Sequence, residues 1–162
     1  MFVASFYSCS FHKENEYELK EYINDSIKIK IDIPETYVLK QDKSEGYIWY
    51  NPSDTSSGFV ENFNLLELIK PTKFQNIDFF EYYTKNFDDI VEDYKVIKYE
   101  NLQIRNTNVR VLLFSGKINN QKVSAYFILF SENEKLFSLS MYTTHSEQLK
   151  LFEKVYKTLV LL

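Results

Sequence analysis

The chain is predicted to be an α+β protein, a largely antiparallel β-sheet with helices on both faces. Three observations predict it. Short runs of alternating apolar and polar residues recur along much of the 162 residues, the period of two that half-buried strands require. Twice the period switches to steps of three and four, the spacing of an amphipathic helix. One strand, residues 122–130, is apolar on both sides, with Val123, Ala125, Phe127 and Leu129 facing one way and Tyr126, Ile128 and Phe130 the other. A sheet of that kind needs cover on two sides.

The elements follow in order. Ile27, Ile29, Ile31 and Ile33 alternate with Lys28, Lys30 and Asp32 up to Pro34, a strand closed by a residue that cannot donate to a ladder. Strands are expected at 37–40 and 47–50, the latter with Tyr47 and Trp49 on one face and Ile48 and Tyr50 on the other. Residues 51–58 read as a loop, and 59–70 as a strand stopped by Pro71. From 77 to 95, Phe80, Tyr83, Phe87, Ile90, Val91 and Tyr94 predict one helix, capped by Asn76. Four strands are expected next, at 96–105, 108–118, 122–130 and 135–143, joined by short polar breaks of hairpin type. In the last of them Ser138, Ser140 and Tyr142 make a wetter face. A capping box, Thr144-His145-Ser146-Glu147, then opens a closing helix whose apolar stripe is Leu149, Phe152, Val155, Tyr156, Leu159 and Val160.

Composition excludes several kinds of chemistry. Three glycines, Gly46, Gly58 and Gly116, stand too far apart for any glycine-rich phosphate loop. One cysteine, Cys9, with His12 and His145, cannot make a Cys/His zinc site or a disulfide framework. A net charge of −4 with two arginines among 19 basic residues argues against nucleic-acid binding. No apolar run approaches the ~18 residues of a membrane span. No cofactor is expected, and no paired histidine, cysteine or carboxylate constellation can be assigned catalytic roles, so an enzyme is not expected.

Residues 1–8 are apolar and small-residue rich and end at Cys9-Ser10, after which the composition turns polar. That is how the end of a secretion signal meets a lipidated cysteine. Phe6 and Tyr7 fit the cleavage box poorly, and an unmodified Cys9 in an ordinary terminus is the other reading. The expected organisation is a signal remnant at 1–8, a polar tether at 9–25 and one domain at 26–162.

The segment Ile29-Lys30-Ile31-Asp32-Ile33-Pro34-Glu35-Thr36-Tyr37 resembles the opening strand of PsbP-like domains. Asn62-Phe63-Asn64-Leu65-Leu66 is similar to their second strand, and the ending through Thr158-Leu159-Val160 is similar too. The resemblance covers about residues 26–162 and implies a three-layer α-β-α sandwich, shared with DcrB-like bacterial proteins. It does not fix function, which in this group runs from photosystem assembly to envelope lipoproteins and adaptors that hold apolar segments. No histidine or glutamate constellation here matches the metal contacts of the photosystem member.

Two candidate sites remain. Tyr47, Trp49 and Tyr50, with the Asp54–Gly58 loop, would form an aromatic surface for an unidentified protein or peptide partner. Asp88, Asp89, Glu92 and Asp93, placed by the predicted helix in its last two turns, would form a weak cation site. The first functional expectation is a binding or structural module tethered to a bacterial envelope through a lipid on Cys9. A soluble cytoplasmic adaptor for an apolar segment is the alternative.

Overall fold

The computed structural model describes residues 17–42, 46–53, 61–69, 78–132 and 135–162. In chain order the elements are β1 (Leu19–Asn24), β2 (Ile29–Pro34), β3 (Val38–Asp42), β4 (Gly46–Tyr50), β5 (Asn62–Leu68), α1 (Phe79–Thr84) and α2 (Phe87–Ile90). They continue with β6 (Glu92–Ile104), β7 (Thr107–Ile118), β8 (Gln121–Glu132), β9 (Lys135–Thr143), α3 (Leu149–Lys157) and β10 (Val160–Leu161). A large antiparallel sheet runs β3-β4-β5-β9-β8-β7-β6, and a small one β1-β2-β10.

The large sheet is covered twice. On one face α3 and the isoleucines of β2 (Ile29, Ile31, Ile33) close a core over Phe63, Leu65, Val111, Ile128, Leu139 and Met141. On the other face, Phe80, Tyr83 and Phe87 of α1 and α2 pack onto Leu112, Phe114, Ala125, Phe127 and Leu129. The fold is α+β in three layers, with the small sheet sharing one outer layer with α3.

The hairpin from β7 to β8 turns on Asn119 and Asn120, both left-handed (φ 51° and 64°). Two such residues match the twist of the flanking strands, and asparagine tolerates them better than most side chains. Where the chain leaves α2 and enters β6, Gly116 of β7 leaves no room for a side chain. A Cβ there would lie 2.2 Å from Val91 Cγ1 and 2.8 Å from the Glu92 carbonyl oxygen.

Four expectations are corrected. The helix predicted over 77–95 is two short helices followed by a strand. Phe80 and Phe87 fill the second core from α1 and α2, and Val91 turns inward beside them. Tyr94 then meets Phe87 and Phe114 from β6, so a strand satisfies the last apolar positions of the pattern. The cap is Asp78, whose Oδ1 accepts from the Phe80 and Glu81 amides at 2.9 and 3.2 Å; Asn76 lies outside the described residues. Part of the expected tether is β1, paired antiparallel with β2 while Tyr22 sets its ring edge against Trp49 at 4.9 Å. Ser138 and Ser140 of β9 are buried rather than wet, because β9 is the middle strand of seven. The capping box does not form: neither His145 nor Gln148 makes a side-chain cap, Thr144 Oγ1 has no partner, and a 3-10 turn at Ser146–Gln148 leads into α3.

One buried carboxylate ties the strand ends together. Glu61 is 2% exposed. Its Oε2 accepts from the Tyr37 hydroxyl at 3.1 Å and its Oε1 from the Thr143 hydroxyl, while Thr143 Oγ1 accepts from the His145 amide at 2.9 Å. Glu61→Ala takes this acceptor from both hydroxyls and is expected to cost about 1–3 kcal/mol of unfolding free energy. Glu61→Gln, which keeps an amide oxygen there, should cost less. Urea unfolding of the two variants checks the order; equal losses would show that both carboxyl oxygens are needed and that neither one amide oxygen nor the conserved volume rescues the site.

Candidate functional site

The strongest candidate is a groove of about 650 Å³ beside the start of α1. It is built by register. Asn101 of β6 lies opposite Arg110 of β7, and Gln103 opposite Asn108. Because directly opposed residues share a face, and residues two apart along a strand share it too, these four polar side chains form one patch. Leu129 lies opposite Arg110 on β8, and Leu136 of β9 opposite Ser131. They supply a buried apolar floor, and Phe79 and Phe80 supply a wall.

Asp78 and Arg110 hold the two sides together. The Arg110 guanidinium donates from Nη1 to both carboxylate oxygens of Asp78, the residue that caps α1. It also lies over the Phe80 ring, 5.8 Å from its centroid. The hydrogen bond from Arg110 holds the Asp78 carboxyl below the usual aspartate range, and the same bond raises Arg110. The groove therefore carries two charges that cancel. Around them are side-chain amides, each of which offers a donor and an acceptor.

The residues singled out in the sequence lie elsewhere. Trp49 is 3% exposed and belongs to the first core, stacked with Tyr47 at 6.4 Å. No surface can be centred on it, which overturns that candidate; Tyr47 and Tyr50 are half-buried on opposite faces of β4. Asp54 and its loop, Cys9 and His12 lie outside the described residues. The acidic cluster is split between a helix and a strand. Asp88 and Asp89 fall in the first turn of α2 rather than the last turns of a long helix, where the dipole favours them. Glu92 and Asp93 are on β6, with Asp93 bonded to Lys117 at 2.5 Å. No group of three or more metal-ligating side chains comes together among the described residues, so the cation site is not formed. His145 is a surface residue 3.8 Å from Glu147.

Sequence reasoning missed the groove. Its signal was available in the polar alternation Asn101, Gln103, Asn108 and Arg110 opposite the apolar alternation Leu102, Ile104, Val109 and Val111.

No protein-family model matches the chain, and no curated protein sequence matches it. Solved structures do. Cyanobacterial PsbP (CyanoP) from Synechocystis superposes with a TM-score of 0.66 at 12% identity over 99% of each chain. The domain has the PsbP-like fold. The Ran-binding protein Mog1p of Saccharomyces cerevisiae has a TM-score of 0.56 at 11% identity, covering 90% of this chain and 96% of its own. LpqN of Mycobacterium tuberculosis, involved in cell envelope biogenesis, has 0.56 at 9% over 98% of each. Identities this low carry the PsbP-like architecture and no particular activity. Among the described residues no helix is long and apolar enough to cross a membrane.

Asp78 is both cap and ion-pair partner, and substitution separates the roles. Asp78→Asn keeps a good cap and loses the charge; the pair is partly exposed, so the expected cost is under about 1 kcal/mol. Asp78→Ala also loses the cap and should cost about 1 kcal/mol more. Because the folded carboxyl titrates below 3.8, its ion-pair contribution is complete above that pH and is lost as the pH falls through the folded value. The stability gap between wild type and Asp78→Asn should be the same at pH 7 and pH 5 and shrink below 3.8. Thermal unfolding across that range checks it.

Proposed function

We propose that this domain is a non-catalytic binding module whose groove beside α1 holds an extended, uncharged segment of a partner protein. The neutrality of the groove carries the reading. Its ionisable pair, Asp78 and Arg110, is bonded internally, and a ligand bringing a net charge would have to break that bond or remain unpaired. What is left to recognise a ligand is an apolar floor of Leu129 and Leu136 and a rim of Asn101, Gln103 and Asn108. Side-chain amides match the donor and acceptor of a peptide unit, and a groove of about 650 Å³ lies within the range of ligand sites. The test is an amide NMR titration with a neutral octapeptide of alternating valine and asparagine, against a control of alternating lysine and glutamate. Shifts at Asn101, Gln103, Asn108 and Leu129 with the neutral peptide alone are expected, and Gln103→Ala with Asn108→Ala should weaken binding about tenfold. Unmoved resonances at about 1 mM neutral peptide would end the reading.

The same reading puts the module at a bacterial envelope, tethered by a lipid on Cys9. The Ser8-Cys9-Ser10 junction supports it, as does the likeness to LpqN. Protein made from its native gene is expected to partition into the detergent phase of Triton X-114, and the Cys9→Ser variant into the aqueous phase. Native protein with an unmodified Cys9 by intact mass would favour the soluble adaptor.

A further inference from the structure

Among the described residues, strand β6 is an edge of the large sheet, 13 residues long with β7 as its one paired neighbour. A free edge of that length presents unpaired backbone N–H and C=O groups, the template on which another strand adds. It also carries exposed apolar side chains close together, Val96, Ile97 and Tyr99, each about half exposed.

The bulge in this strand decides what can pair with it. Val96 lies opposite Phe114 and Lys98 opposite Leu113, so Ile97 is an extra residue without a partner. Phe114 belongs to the core under α1 and α2, and Leu113 to the core under α3. Past the bulge Tyr99 lies opposite Leu112, back on the α1 and α2 side, and Glu100 opposite Val111, on the α3 side. Val96 and Tyr99 therefore share a face although they are three residues apart, and Lys95 and Glu100 share the other although they are five apart. In a regular strand each such pair would fall on opposite faces.

We infer that β6 is a homodimer interface, pairing antiparallel with β6 of a second copy about a two-fold axis between Ile97 and Lys98. That axis sets Val96 opposite Tyr99 of the second copy, and Lys95 opposite its Glu100, each twice. An apolar β-branched residue meets an aromatic on one face, and opposite charges meet on the other, both favourable cross-strand pairs. The match requires the bulge: without it, an axis between two residues would oppose side chains from different faces. Within one chain Lys98 also holds Glu100 at 2.8 Å, so Glu100 would lie between two lysines. The interface is isologous, as a closed two-fold dimer requires. The pairing uses the backbone edge of β6 and the groove the side chains on its α1 face, so the two readings have separate tests.

Sedimentation velocity from about 5 to about 200 µM tests it, a range that spans weak small-interface association. Wild type should dimerise. Lys95→Glu and Glu100→Lys should each raise the dissociation constant at least about tenfold, and the double swap should restore dimerisation. Both positions are exposed or half-exposed on the strand, and unchanged circular dichroism confirms that the variants fold. A wild type that stays monomeric throughout, or a folded double swap no better than the single variants, would overturn the inference.

Discussion

Strand β8 sends Tyr126, Ile128 and Phe130 into one core and Ala125, Phe127 and Leu129 into the other, and both sets are buried. Burying large side chains on both faces is worth about 1.5–3 kcal/mol for each, which makes the two covering layers a requirement. On the α3 side, Phe152 and Tyr156 meet Phe63 and Tyr126 through ring contacts of 5.0 and 5.5 Å. On the other side Phe87 contacts Phe127 at 5.3 Å and Phe114 at 5.4 Å. The crowding is tight enough that Gly116 can carry no Cβ and that Ser138 and Ser140 are enclosed with the apolar side chains around them.

That constraint explains which parts of the fold were legible. Strands β2, β7, β8 and β9 could be read because each packs a large apolar set against a layer, so burial imposes the period of two on the sequence. The turn at Asn119 and Asn120 could be read for its local chemistry. Strand β1 was missed because it is an edge strand that buries Tyr22 and Leu19 only in part, and its charged residues resemble a solvated tether. The region from Phe80 to Tyr94 was misread because steps of three and four are also produced by two short helices and a bulged strand touching the same core. Period alone does not separate these.

The site was less legible than the fold, for a related reason. Trp49 was expected in an aromatic surface with Tyr47 and Tyr50, yet size argues first for burial, and Tyr22 and Tyr47 supply the ring contacts that hold it inside. The acidic run Asp88 to Asp93 drew notice as a like-charge helical face, but α2 ends at Ile90 and the two halves go separate ways. The groove residues were ordinary in the sequence. Asn101, Gln103, Asn108 and Arg110 become a site only when the register of β6 with β7 puts them in one patch and Asp78, 32 residues away, reaches Arg110. The alternation along 101–110 marks the polar face, but the contact with Asp78 has no short-range signal.

The location of the groove follows from a mismatch of lengths. Strands β6, β7 and β8 have 12 or 13 residues, about 40 Å at ~3.3 Å per residue. Helices α1 and α2, with 6 and 4 residues, extend only about 9 and 6 Å at ~1.5 Å per residue. They cover the stretch of sheet around Phe114 and Phe127 and stop short of the end where β6 and β7 turn at Arg105. Side chains there face a space that no described element of this face fills, with amides and a neutralised ion pair on the rim and Leu129 and Leu136 as the apolar floor. On the opposite face α3 is longer and the isoleucines of β2 extend its cover, and the core there is larger. The proposed binding groove thus lies where the described cover of this face ends before the sheet does, and the edge of β6 borders the same end.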